Sequence, residues 1–401
     1  MHLSSTQPDP STSLLRDSNL HVVFCVTLVG VLGVASITPA FPRIIATLKV
    51  SPVEVGLLIT VFTLPGIFLA PMLGVLADRY GRKQILVPSL LLFGIAGFSC
   101  SLTRDFTLLL GLRFFQGVGA AALGALNVTV IGDLFSGQQR TTAMGYNASV
   151  LSIGAATYPV IGGALASIAW FYPFYLPLAA IPVGLIVLFV LDLPATRTDQ
   201  RLSEYLSEAW KSIREPQVLG LFLISTTSFI VLYGSYLAYF PILINHRFGQ
   251  PSFVIGLIMA STSFATVLTS SQLGKLSRRF SRRNLLLTSA VFYASGLFLI
   301  PFIPRLLLLL IPTFLFGIGQ GLGNPVVQTL LADLAPKAHR AAIMSFNGTV
   351  LRLGQTLGPL ITGIAYTRTG INGVFLTGSA LALILPVIIF LMGVGRKVPV
   401  S

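Results

Sequence analysis

Twelve stretches of about 20 mainly apolar residues, each long enough as a helix to cross the hydrocarbon of a bilayer, follow one another along this chain. They lie at roughly 21–42, 52–77, 84–102, 106–133, 141–168, 171–192, 217–243, 252–275, 284–303, 306–332, 341–367 and 371–394, numbered here as spans 1 to 12. No soluble fold hides that much apolar surface: 54% of the residues are hydrophobic and 9% charged, against about 25% charged in a soluble domain. In lipid the backbone must satisfy its own hydrogen bonds, which for segments of this length means helices. The pattern predicts an all-α membrane protein with twelve transmembrane helices.

The net charge is +14, from 26 Lys+Arg against 12 Asp+Glu. In a soluble protein this balance would point to nucleic acid. Here the cations sit in short segments between apolar runs and are not interleaved with aromatics, so they read as orientation signals and nucleic acid is not an expected partner. With the N-terminus placed in the cytoplasm, eighteen cations fall on the cytoplasmic side and six on the other, with Arg113 and Arg352 left inside spans. That bias puts both termini in the cytoplasm, and the short loops suit a bacterial inner (cell) membrane. The longest cytoplasmic segment, 193–216, carries Leu202, Leu206, Trp210 and Ile213 at helical spacing between Glu204, Glu208 and Lys211. It reads either as an amphipathic helix on the membrane surface or as a flexible linker. Residues 1–20 lack the features of a signal peptide, so the first apolar run is expected to stay as span 1. Cys25 and Cys100 are too few for a disulfide framework or a zinc site.

The second half of the chain echoes the first at an offset of 200. Gly56 and Gly256, Gly74 and Gly274, Arg82 and Arg282, Asp133 and Asp333, Arg140 and Arg340, Asn147 and Asn347, Pro159 and Pro359, and Gly163 and Gly363 all pair this way. Phe41-Pro42 recurs one residue early as Phe240-Pro241. Matches among Asp, Arg, Asn and Pro over such a length are not chance. The domain organisation that follows is a tail (1–20), a six-helix bundle (21–192), the linker (193–216), a second six-helix bundle (217–394) and a tail (395–401). Duplicated halves of this kind are a transporter architecture, with the substrate site between the halves near the midplane.

Three motifs carry the chemistry. Between spans 2 and 3 stands Gly74-Val-Leu-Ala-Asp78-Arg79-Tyr-Gly81-Arg82-Lys83. Gly81 can adopt the turn that a tight loop needs, and Asp78 at a helix end can pair with a cation, latching two helices in one conformation. On span 4, Arg113, Gln116, Ala120 and Asn127 fall within a stripe of about 60° at 100° per residue, so the polar groups share a face. On span 5 come Gly145, Gly154, Tyr158, Pro159, Gly162 and Gly163; small residues let helices approach closely and the proline bends the helix.

These segments resemble the signature loop, the fourth-helix motif and the antiporter motif of the major facilitator superfamily. The pattern, with Thr38-Pro39 and Phe41-Pro42 closing span 1, is most similar to its twelve-span drug:proton antiporters, and the resemblance covers nearly the whole chain. It implies the major facilitator fold, two pseudo-symmetric six-helix bundles. It further implies that Asp78, Arg79 and Arg82, with Gly74, Gly81, Lys83 and Arg140, form a conformational latch partnered by Asp133. Arg113 takes the position associated with proton coupling, and spans 1, 4, 7 and 10 surround the cavity. Three positions depart from the pattern. Tyr158 replaces the usual Gly before the Pro, and the second copy of the loop has Arg278 and Ser281 in place of Asp78 and Gly81, which predicts a weaker or different latch in that half.

A central Arg costs about 2.5–3.5 kcal/mol on insertion scales, so Arg113 and Arg352 should face protein or water rather than lipid. Arg352 lies near mid-depth in span 11, and its repeat mate is Ser152. It is a candidate for substrate or gating contacts, or else an arginine snorkelling between helices. None of the 12 acids falls in mid-span; Glu54, near the outer end of span 2, comes nearest. Gln320, Asn324 and Gln328 share a face of span 10, and Tyr233 and Tyr236 supply hydroxyls on span 7. A neutral, aromatic and amide-rich cavity suits amphipathic organic molecules.

The expectation is a monomeric secondary transporter that exports hydrophobic or amphipathic small molecules by alternating access in exchange for protons. An organic-anion or metabolite carrier that uses Arg113 and Arg352 without protons is the alternative. A receptor or lipid-handling scaffold that moves nothing is the alternative from another class. Gly317-Ile-Gly319-Gln-Gly321-Leu-Gly323 resembles a nucleotide loop but lies inside a span, where close helix packing explains it. With no P-loop and no metal-ligand cluster in the sequence, the chain is not expected to be an enzyme, to hold a cofactor or metal, or to pump with ATP.

Overall fold

The structure is a computed structural model that describes residues 14, 16–193, 215–335 and 340–395. The proposed amphipathic helix around residues 202–213 lies outside the described residues. Among those described, every regular element is helical. Ten helices are long and apolar enough to cross a membrane: Ser18–Leu48, Pro52–Tyr80, Phe106–Leu134, Gly137–Ile168, Tyr172–Phe189, Pro216–Phe248, Ser252–Ser271, Arg282–Phe302, Leu306–Leu334 and Ile343–Leu391. Two features bring the crossings to twelve. Span 3 is the helix Arg82–Ser99, whose apolar character is diluted by Arg82, Lys83 and Gln84 at its start. The run Arg340–Leu391 breaks at Gly370, at φ 69° and ψ −170°, into spans 11 and 12; that left-handed turn is open to glycine without strain.

The acids serve the helix ends. Asp17 and Asp105 are the N-caps of spans 1 and 4. Ser51 and Glu54 form a capping box at the start of span 2, the Glu54 carboxylate accepting from the Ser51 N–H at 2.6 Å. Glu54 is therefore a structural cap on the surface rather than an acid inside the path. Span 1 is interrupted by a 3₁₀ turn at Thr38–Ala40, and span 7 by a π-helical stretch at Val231–Tyr239. Prolines at 39, 42 and 241, which offer no N–H, stand at these irregularities.

The two bundles meet through span 2 against span 11 and span 5 against span 8. The offset of 200 reappears here in space. A Cβ added to Gly56 would lie 3.3 Å from the Cβ of Pro359, and one added to Gly256 would fall on the carbonyl of Pro159. Gly163 abuts the Ser252 carbonyl in the same way. These contacts lie toward the end of the bundles opposite the termini. At the end that carries the termini, Gly74, Gly145, Gly274 and Gly348 have nothing within 4 Å of an added Cβ. The halves are packed backbone to backbone at one end, and at the other these four glycines meet no neighbour.

Candidate functional site

The loop after span 2 brings its charges together. Arg82 Nη1 lies 2.7 Å from Asp78 and its Nε 2.5 Å from Asp133, with the arginine side chain 13% exposed. One guanidinium thus ties the ends of spans 2, 3 and 4, and Gly81, at φ 106°, turns the chain between the first two. Arg79 lies over Tyr80 at 5.6 Å, and among the described residues neither it nor Lys83 makes an ion pair. Arg140 rests its guanidinium against Gly132, next to Asp133. In the second half Arg282 pairs with Asp333, repeating the Arg82–Asp133 bond. The second carboxylate is gone because Arg278 stands where Asp78 would be, and the remaining pair is 43% and 52% exposed.

The polar stripe on span 4 turns into the first bundle. Arg113 is fully buried: its Nε donates to the Leu58 carbonyl, its Nη1 donates to Gln116 Oε1 at 2.7 Å, and its guanidinium lies 4.2 Å from the Phe62 ring. Arg113 Nη2 and Gln116 Nε2 make no hydrogen bond. Gly117 permits this packing, because a Cβ there would overlap the Phe62 carbonyl. Asn127 donates to the Thr27 hydroxyl, which in turn lies 2.5 Å from Asn147 Oδ1. Spans 1, 4 and 5 are joined at that buried hydroxyl. Sequence reasoning marked Asn127 for its stripe and Asn147 for its repeat, but missed Thr27; Thr227 at the same offset was the available signal. Thr27→Val should leave two buried amides short of a partner and lower stability by about 2 kcal/mol. Thr27→Ser should not, as thermal melting in detergent would read.

The span 5 motif is a packing surface for two neighbours. An added Cβ at Gly154 would lie 3.2 Å from Leu28 of span 1, and one at Gly162 would overlap the Ser36 carbonyl there. Pro159 and Gly163 face span 8, while Gly145 faces open space. Tyr158, in the place of the usual glycine, lies against Gly154 with its ring edge 3.3 Å from an added Cβ.

Arg352 joins the two halves at mid-depth. It is half-buried, with its Nη1 3.3 Å from Gln355 Oε1 and its Nη2 3.5 Å from the Ala120 carbonyl on span 4. Its stem lies 3.1 Å from an added Cβ at Gly66 on span 2, and Tyr233 of span 7 is within its electrostatic reach. One turn away Thr356 bonds Thr63 at 2.8 Å and accepts from Thr60 at its carbonyl, a link across the halves that sequence reasoning missed. Beside Tyr233 the stacked Phe229 leads to a recess lined by Ser225, Ser228, Gln320 and Asn324. Gln328 is exposed and reaches back to Asn324. Tyr236 is placed elsewhere than the cavity: its ring stacks on Phe240 and Phe316 and its hydroxyl bonds Thr262 at 2.6 Å, all inside the second bundle.

With this geometry in hand, the profile of the Major Facilitator Superfamily matches residues 23–254 and 224–400. Multidrug resistance protein 1 of Bacillus subtilis (strain 168) is 25% identical over 353 residues, covering 88% of this chain and 90% of that protein. The bacillibactin exporter of the same organism is 25% identical over 400 residues, covering 94% and 97%. Among solved structures, a bacterial homologue of the human lysosomal transporter Spinster, inward-facing and unoccupied, superposes with a TM-score of 0.80 at 17% identity, covering 98% of this chain and 100% of that one.

Proposed function

This chain belongs to the Major Facilitator Superfamily and is a multi-pass membrane secondary transporter, and we propose that it exports hydrophobic or amphipathic small molecules by alternating access. The observation that carries this reading is the unequal packing of the halves. Glycine-on-backbone contacts close one end, Gly74, Gly145, Gly274 and Gly348 at the other end meet no neighbour, and polar side chains from both halves meet between them. Two packings of the same surfaces, exchanged by rocking one bundle against the other, expose that central site to each side in turn. On the positive-inside reading the open end is cytoplasmic, as export requires for loading. The Asp78–Arg82–Asp133 cluster holds the ends of spans 2 to 4 as one body, so that the bundle moves as a unit.

The relatives named for multidrug resistance and bacillibactin export support efflux as the direction. The family resemblance offers protons as one candidate driving ion, and a monomer as the working unit. Among the described residues no carboxylate lies in the interior of the bilayer to carry a proton. Enzymatic activity forms no part of this reading. Cells carrying the protein should accumulate severalfold less of at least one dye from a panel of anionic, neutral and cationic amphipaths than cells lacking it, and a protonophore should abolish the difference. Equal accumulation across the panel would overturn the proposal.

A further inference from the structure

The interior of this protein holds two guanidiniums and, among the described residues, no carboxylate: each described acid lies at or beside a helix end. The two arginines are not equivalent. Arg113 is sealed between spans 2 and 4 with no exposure, so nothing from outside the bundle reaches it. Arg352 stands where spans 2, 4, 7 and 11 converge, on the surface between the halves. Its hydrogen-bond partners are neutral and distant, an amide oxygen at 3.3 Å and a carbonyl at 3.5 Å. A guanidinium has five N–H donors in a fork that matches a carboxylate or sulfonate, so most of its capacity is unused. Tyr233 of span 7 lies within its electrostatic reach, and the Phe229 ring stacks on Tyr233 at 5.8 Å.

We propose that the exported substrate is an organic anion with an aromatic or apolar body, its acidic group held by Arg352, and that the membrane potential drives it outward without an exchanged proton. The inference rests on the exporter reading above and names its substrate class and driving force. An uncompensated cation in low dielectric attracts an anion and repels a cation. Arginine does not release its proton, so it cannot act as a proton carrier. A monovalent anion leaving a negative cytoplasm moves down the electrical gradient, one negative charge crossing per cycle, and the export needs no titrating acid in the path.

The test uses the full chain in liposomes with 2-naphthalenesulfonate, whose charge does not change with pH, and with ethidium as the cationic probe. A potassium gradient with valinomycin sets the potential while pH is equal on both faces. A tenfold potassium gradient should distribute the sulfonate about tenfold toward the positive side, since both are monovalent, and ethidium should not move. Arg352→Gln should slow the sulfonate at least about tenfold, whereas Arg352→Lys, which keeps the charge, should retain most of the flux. Both variants are checked for monodisperse elution and an unchanged melting temperature. Sulfonate flux unaltered in Arg352→Gln, or equally lost in the well-folded lysine variant, would overturn the anion site. Flux that follows a pH gradient at zero potential and ignores the potential would overturn the electrical drive. Ethidium transport without sulfonate transport would overturn the inference and leave the exporter reading standing. Movement of neither probe under either gradient would overturn both.

Discussion

Gly256→Val should abolish transport and leave the protein open on the side opposite the termini. A Cβ at this position falls on the Pro159 carbonyl oxygen, and that oxygen belongs to helix backbone, which cannot turn aside as a side chain would. Spans 5 and 8 must then separate at the end where the structure shows them packed. Overpacking of this kind costs about 1–3 kcal/mol, and a bias of 3 kcal/mol on a two-state equilibrium changes the ratio of states by roughly a hundredfold. The readout is chemical access. In a background with Cys25 and Cys100 replaced by alanine, Ser263→Cys on span 8, whose native hydroxyl bonds the Ala155 carbonyl on span 5, should react with an impermeant maleimide from that side only when Gly256→Val is present. Gly274, the equivalent of Gly74 in the other half, makes the contrast. Nothing lies within 4 Å of a Cβ there, so Gly274→Val should leave this state undisturbed and Ser263→Cys protected. Labelling that is the same in all three proteins would show that the glycines do not set the closure.

Arg82→Gln should reduce transport at least about tenfold and lower the melting temperature, while Arg282→Gln should change transport less than about threefold. The difference follows from the surroundings of the two ion pairs. Arg82 is shared by two carboxylates and is 13% exposed; its loss leaves Asp78 and Asp133 facing each other without a cation, at a cost of about 2–4 kcal/mol for partly buried charges. Arg282 has the single partner Asp333, and the pair is open to solvent, where such a bond contributes about 0–1 kcal/mol. Arg82→Gln combined with Asp78→Asn should be milder than Arg82→Gln alone, because one of the stranded charges is removed. Additive losses in that double variant would mean that the arginine acts through something other than the carboxylates.

The candidate site was partly legible in the sequence. The family resemblance pointed to Asp133 as the partner of Arg82, and the 200-residue offset aligned those two with Arg282 and Asp333; it also marked Gly56, Gly256, Pro159 and Pro359, though not that these meet crosswise between the halves. The loss of symmetry at Arg352 drew attention to the residue that proves to lie at the junction. The stripe of Arg113, Gln116 and Asn127 marks one face of span 4, but a face is an angle on a helix and does not say what stands opposite. Spans 2 and 3 cover the first two residues, and the Thr27 hydroxyl covers the third. Tyr236, three residues from Tyr233, points into a different environment within the π-helical stretch, an irregularity for which no local signal was read.

What the sequence by itself determined is the class of molecule: the number and length of the crossings, their alternation, the duplication and the absence of mid-span acids. These are local matters, settled by the thickness of hydrocarbon, by the need of each backbone to satisfy itself and by the placement of charge. The tertiary structure alone decided which polar groups are sealed inside a bundle, which stand between the bundles, and which end is packed. That division has a physical cause. Surfaces lined with glycine and small polar residues can pack in more than one way at similar free energy, so only the assembled helices reveal which contacts this state has made.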